Sequence, residues 1–144
     1  MTAFRFRLEK VLEWYTHQFE AEERRFISCL AALADARKAI AALQAERLSI
    51  EHDVIARSAI PASDFVALGL YRLGARTREL ELNALRESCE AKVEAQRIVL
   101  QTAQQRVRLL EKLRERRRAE HLYAESREIE ELASDAFFAK WAAR

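Results

Sequence analysis

The sequence predicts an all-α chain, a long antiparallel two-helix coiled-coil hairpin with a C-terminal helical overhang. Three observations predict it. Two glycines and one proline stand in 144 residues, where average usage would place roughly ten and seven. Apolar residues recur at alternating spacings of three and four along most of the chain. The single proline, Pro61, lies well before the midpoint, so the helices it separates are unequal. Sheets and doubly wound folds turn at short intervals, and turns draw on Gly, Pro, Asn and Asp. The chain has one asparagine, Asn83. Compact enzyme folds with many connections are therefore close to excluded, and residues 1–144 read as one coiled-coil domain.

Helix one is expected over about 4–56, a stretch without Gly or Pro. Its apolar series is Leu8, Leu12, Tyr15, Phe19, Phe26, Cys29, Leu33, Ala36, Ile40, Leu43, Ile50 and Val54. Glu22 and Arg47 are the two polar interruptions. This is a heptad seam sustained over roughly seven heptads, and at helical rise it measures roughly 80 Å.

The turn is expected over about 57–63, because Pro61 disfavours helix at Ile60. Helix two then runs over about 64–141, capped by Ser63 or Ala62, with Ser63 the better cap and Asp64 suited to the positive helix end. Gly69 and Gly74 cost about 1 kcal/mol each against alanine, so its start is its softest part. Its seam reads Leu82, Leu85, Cys89, Val93, Gln96, Leu100, Ala103, Val107, Leu110. The step Leu85–Cys89–Val93 is a local stutter.

Facing residues of an antiparallel pair keep a constant index sum. Leu8 with Leu110, Tyr15 with Ala103, Glu22 with Gln96 and Cys29 with Cys89 sum to 118. Leu12 with Val107 and Phe26 with Val93 sum to 119. Near the turn Arg47 meets Tyr71, Ile50 meets Leu68 and Val54 meets Phe65. Polar Glu22 and Gln96 meet each other, which spares both from hydrocarbon. Around Ile40 the match fails, because its counterpart is Arg78, and a local register shift or an open patch is expected there.

With that register, helix two is unpaired beyond about 111. The overhang, roughly 45–50 Å of helix, carries Leu122, Ile129, Leu132, Ala136 and Phe137 at helical spacing, followed by Trp141. An apolar stripe without a partner in its own chain predicts a partner in another.

The net charge is +2, from 25 basic and 23 acidic residues, which argues against a dedicated nucleic-acid binder. No apolar run is long enough to span a membrane, and the start lacks an apolar signal core. Cys29 and Cys89 are too few for a disulfide scaffold, so a cytosolic chain with reduced thiols is expected. The two form either a redox switch or a pair of small core residues. No phosphate loop, nucleophile elbow or zinc-peptidase pair occurs, and neither enzyme activity nor a cofactor is expected. His17 beside Glu20 reads as a solvated face more readily than as a metal pair, because ligands must converge in a closed shell. The basic run Arg114, Arg116, Arg117, Arg118 fits an acidic protein surface, a nucleic-acid backbone or a solvated face.

The opening Phe4-Arg5-Phe6-Arg7-Leu8-Glu9-Lys10-Val11-Leu12 resembles the start of FliJ-type proteins of the bacterial flagellar export apparatus. So does Leu110-Glu111-Lys112-Leu113-Arg114-Glu115-Arg116, followed by Glu120, Glu128 and Glu131. The stalk proteins of virulence secretion, of the YscO type, share the layout. The resemblance implies a hairpin similar to the central γ stalk of rotary ATP synthases. It implies a non-enzymatic coupling component at the cytoplasmic face of the membrane export apparatus. Expected partners are a hexameric export ATPase, a membrane export-gate protein and export chaperones, with no nucleic acid and a monomer when free. ATPase contacts are expected from Phe4, Phe6, Leu8, Arg114, Arg116, Arg117, Arg118, Leu122, Ile129, Leu132, Asp135 and Phe137. Gate contacts are expected from Leu70, Tyr71 and Leu73. The chain departs from the usual Asp-Glu ending of the family, with Ala136 following Asp135. The alternative is a structural coiled coil that self-associates through its overhangs.

Overall fold

The computed structural model describes residues 3–143. Two long helices pack antiparallel as a hairpin, and no strand forms among the described residues. Helix α1 spans Glu9–Ile55 and helix α2 spans Ala62–Ala142. The residues group into two compact units, Glu22–Leu100 and Met1–Ala21 with Gln101–Arg144.

The Glu22–Leu100 unit contains the turn. The end of α1 tightens as Ala56 N–H donates to the His52 carbonyl at 3.0 Å and Arg57 N–H donates to that of Val54 at 3.4 Å. Ser63 is not the cap of α2. The Pro61 carbonyl accepts from the amides of Asp64 at 3.0 Å and Phe65 at 3.4 Å, which makes Ala62 the first helical residue. A proline at this boundary has no N–H to leave unsatisfied, and its fixed φ feeds the helix directly. Asp64 then sits in the first turn, where its charge suits the helix dipole, and it accepts from Arg57 Nη1 at 2.8 Å across the connection. No described residue has a positive φ, so the chain reverses without help from glycine.

In α1 of this unit the heptad series from Phe26 to Val54 is buried or half-buried throughout. In α2 the inward residues are Leu68, Tyr71, Ala75, Glu79, Leu82, Arg86, Cys89, Val93, Gln96 and Leu100. Leu85 is not among them: it is 50% exposed, and Arg86 takes its place. The step from Leu82 through Arg86 and Cys89 to Val93 is then a regular four-three-four, and the stutter moves to Tyr71–Ala75–Glu79. That shift answers the mismatch expected around Ile40, since Arg78 points outward while Ala75 and Glu79 flank the seam. Phe65 is also exposed, and Val54 instead shares an apolar pocket with Ile50, Ala67, Leu68 and Tyr71. An index sum with a tolerance of one residue does not distinguish Leu85 from Arg86. Their environments do.

In the unit that carries the termini, Leu12 and Val107 are buried and the Arg106 guanidinium lies 5.9 Å from the Tyr15 ring centre. Here α1 starts at Glu9 rather than near residue 4. Residues 3–6 are non-helical, and exposure alternates from Ala3 to Arg7, with Phe4 and Phe6 turned inward and Arg5 and Arg7 outward. Leu8 lines a groove with Leu113, and Phe4 reaches His121. Four extended residues cover about 13 Å, the length of roughly eight residues of helix. The segment therefore covers α2 as far as His121, beyond the expected end of pairing near 111.

The inward and outward leucines give a test. Leu33, 6% exposed, replaced by alanine should lose about 2–4 kcal/mol of stability, whereas Leu85→Ala should lose less than about 1 kcal/mol. Urea unfolding followed by far-ultraviolet circular dichroism compares them. Equal losses would mean that Leu85 shares the seam.

Candidate functional site

Two exposed surfaces, one in each unit, gather apolar and charged side chains. The first belongs to the unit of the termini. Phe4 packs its ring 5.7 Å from that of His121, tilted by 45°. Phe4, Phe6 and Leu8 line a groove together with Leu113, Arg117 and His121. On the other side of the segment Arg5, Arg7, Lys10, Arg114 and Arg118 line a second groove with Glu9, Glu13 and Glu115. Arg114 Nη1 reaches Glu9 Oε1 at 3.2 Å. Arg116 and Arg117 both lean on Glu120, at 3.3 and 3.2 Å. Among the described residues Arg5, Arg7, Lys10 and Arg118 form no ion pair, and the groove has more basic than acidic side chains in its lining.

Beyond Glu125 every described residue of α2 is exposed. Leu122, Ile129, Leu132 and Phe137 all stand in solvent, Phe137 at 67% exposure. Asp135 is exposed too and has no ion-pair partner among the described residues. Tyr123, Phe138 and Trp141 add apolar surface beside the stripe, and the rings of Phe137 and Phe138 meet edge-on at 6.0 Å. At 100° per residue these side chains cover about two thirds of the helix circumference. The sequence series missed Tyr123 and Phe138 because it followed one face only.

The second surface lies in the Glu22–Leu100 unit. Leu70 and Leu73 are exposed, and so are Val66 and Leu80. Their spacing of four, three and seven places all four within an arc of about 80°, centred opposite the seam residues of the same helix. Gly69 lies beside this stripe, with open space where a Cβ would stand. Tyr71 does not join it. Its ring turns toward the seam, where burial, and then the Glu46 carboxylate, push the phenol above its ordinary value. No acceptor lies within hydrogen-bond geometry of the shielded hydroxyl. Val66 and Leu80 were legible as members of a second, outward heptad series once the inward one was fixed.

Among the described residues no three His, Cys, Asp or Glu side chains gather as a metal site. His17 and Glu20 form an exposed pair at 3.7 Å. Among the described residues no helix is long and apolar enough to cross a membrane.

A family model described as "Flagellar FliJ protein" matches residues 4–142, nearly the whole chain. The chain belongs to that family, whose members are non-enzymatic structural and coupling proteins. It is a component of the flagellar export apparatus. No curated protein and no solved structure matches it.

The contact between Phe4 and His121 should be visible in solution. Proton NMR of Phe4→Ala should show the His121 ring resonances shifted by loss of the neighbouring ring current, with helical content unchanged. Unmoved His121 resonances would mean that the segment does not lie on α2.

Proposed function

We propose that this FliJ-family protein is the coupling stalk of its export machine. In this proposal it binds the hexameric export ATPase through the unit of the termini. It engages the membrane export gate through the outward stripe of the other unit. The proposal places it at the cytoplasmic face of the membrane, where it also meets export chaperones. The observation that carries the proposal is the unpartnered end of α2, with apolar side chains around most of its circumference above a basic collar. A helix docked in a one-sided groove needs one apolar face. A helix apolar on most sides suits a surrounding sleeve, and a ring of six subunits provides one.

The work divides between apolar and charged groups. Leu122, Ile129, Leu132 and Phe137 bury apolar surface in the sleeve, each contributing up to about 1.5–3 kcal/mol if fully covered. Arg114, Arg116, Arg117 and Arg118, with Phe4, Phe6 and Leu8 beside them, meet acidic loops at its mouth. Charge there sets approach rate and register more than final affinity. Asp135, exposed and without an ion-pair partner among the described residues, offers an acceptor for a donor inside the ring. On the gate side Leu70 and Leu73 form the contact together with Val66 and Leu80. Tyr71 supports the stripe from the seam.

Pull-down with the cognate ATPase, together with its turnover rate, tests the proposal. Ile129→Ser combined with Phe137→Ser should weaken binding more than tenfold and abolish stimulation while helical content stays constant, because both side chains are exposed in the free chain. Replacing Arg117 and Arg118 by glutamine should flatten the salt dependence of binding. A wild-type chain that neither binds nor stimulates the ATPase sinks the idea. A dilution-resistant oligomer broken by the same serine substitutions would favour self-association through the overhangs.

A further inference from the structure

The two cysteines occupy a layer of the seam that the neighbouring layer makes readable. Gln96 Nε2 donates to the Glu22 carboxylate, and also to the Glu22 backbone carbonyl at 3.3 Å. A side chain that reaches both the partner side chain and its backbone fixes these two positions as directly facing. Cys29 lies seven residues after Glu22, and Cys89 lies seven residues before Gln96. In an antiparallel heptad pair, equal and opposite steps of one heptad reproduce the same facing geometry. No stutter falls between the layers, since the inward series runs regularly from Leu82 to Leu100. The seam therefore sets Cys29 opposite Cys89 as it sets Glu22 opposite Gln96.

Both thiols are free, and their environments differ. Cys89 is 8% exposed, whereas Cys29 is only half-buried. One thiol is open to solvent and the other is nearly covered. That is the arrangement of an attacking and a resolving cysteine.

We propose that Cys29 and Cys89 form a reversible thiol–disulfide clamp across the two helices, closed by a small-molecule disulfide of the glutathione class. The Cys29 thiolate attacks one sulfur of the oxidised disulfide, forms an S–S bond and expels one thiolate. The Cys89 thiolate then attacks the Cys29 sulfur of that mixed disulfide, forms the cross-helix bond and expels the second thiolate. Two electrons pass from the protein to the small disulfide. The two protons released from the cysteines are taken up by the two departing thiolates. Excess reduced thiol runs both steps backwards. The closed bond ties residue 29 to residue 89 and encloses the turn, so it restrains the unfolded chain and holds the helices in register.

The test uses the full chain equilibrated with oxidised and then reduced glutathione, digested with trypsin without reductant and read by mass spectrometry. The expected product joins the peptide of residues 26–37 to that of residues 87–92, with the loss of two hydrogens. It should coincide with a rise in melting temperature of more than about 5 °C and vanish on return to reduced glutathione. Cys89→Ser should stop at a glutathione adduct on Cys29. Cys29→Ser should leave Cys89 unmodified in the folded chain. Glutathione adducts without a cross-link in the wild-type chain, links only between chains, or thiols untouched by the oxidant would each overturn the proposal.

Discussion

The structure depends on a single seam shared by helices of unequal length. Helix α1 has 47 residues and α2 has 81, so one stripe of each must cover the other without a third element to close the core. The consequence is a thin interior. The buried side chains are Leu12, Leu33, Ala36, Leu43, Ala75, Cys89 and Val107, and none of the described polar or charged residues is buried. Each layer adds its own small burial, so stability accumulates with length rather than with depth. Every other face remains free of the demands of folding. Leu70, Leu73, Phe137 and Trp141 stand exposed without cost to the core.

Polar residues within the seam are tolerated because a two-helix interface leaves its flanks open to water. Gln96 with Glu22 and Arg47 with Glu79 form partnered layers, the second at 2.8 Å with both side chains about a third exposed. Arg86 lies inward with Nε shielded and 3.7 Å from the Glu90 carboxylate, which also receives Arg37 from α1. Such layers contribute less than apolar ones, but a slipped register would leave them unpaired. They select one alignment from the many that leucines and alanines alone would accept.

Most of the fold was legible in the sequence. Scarcity of Gly and Pro, the heptad series of α1 and the position of Pro61 are long-range regularities, and all survive in the structure. The misses are local. Arg86 displaced Leu85 because a long side chain can lie along the seam and send its charge outward, so hydrophobicity alone misassigned the position. Ser63 does not cap α2 because the helix opens at Ala62, which puts Ser63 inside its first turn. The helix did not begin at Phe4 because Phe4-Arg5-Phe6-Arg7 alternates with period two, the signature of an extended strand of chain. Its apolar content hid that period within a helical assignment. Of the candidate site, the exposed overhang followed from the register, and the same register set Tyr71 inward opposite Arg47, at odds with the place among the gate contacts that the resemblance implied.

The last turns of α2 have no tertiary packing to hold them. Local terms remain, such as Arg127 with Glu131 at 3.5 Å and the Ser126 hydroxyl donating to the Leu122 carbonyl at 3.0 Å. Exposed pairs of this kind contribute a few tenths of a kcal/mol each, and a lone helix of this length is marginal in water. Its order is therefore continuous with that of the paired α2 that nucleates it. A sleeve that covered its apolar surface would remove the exposure and the fraying together. Burial of that surface and helix stability are coupled at this end.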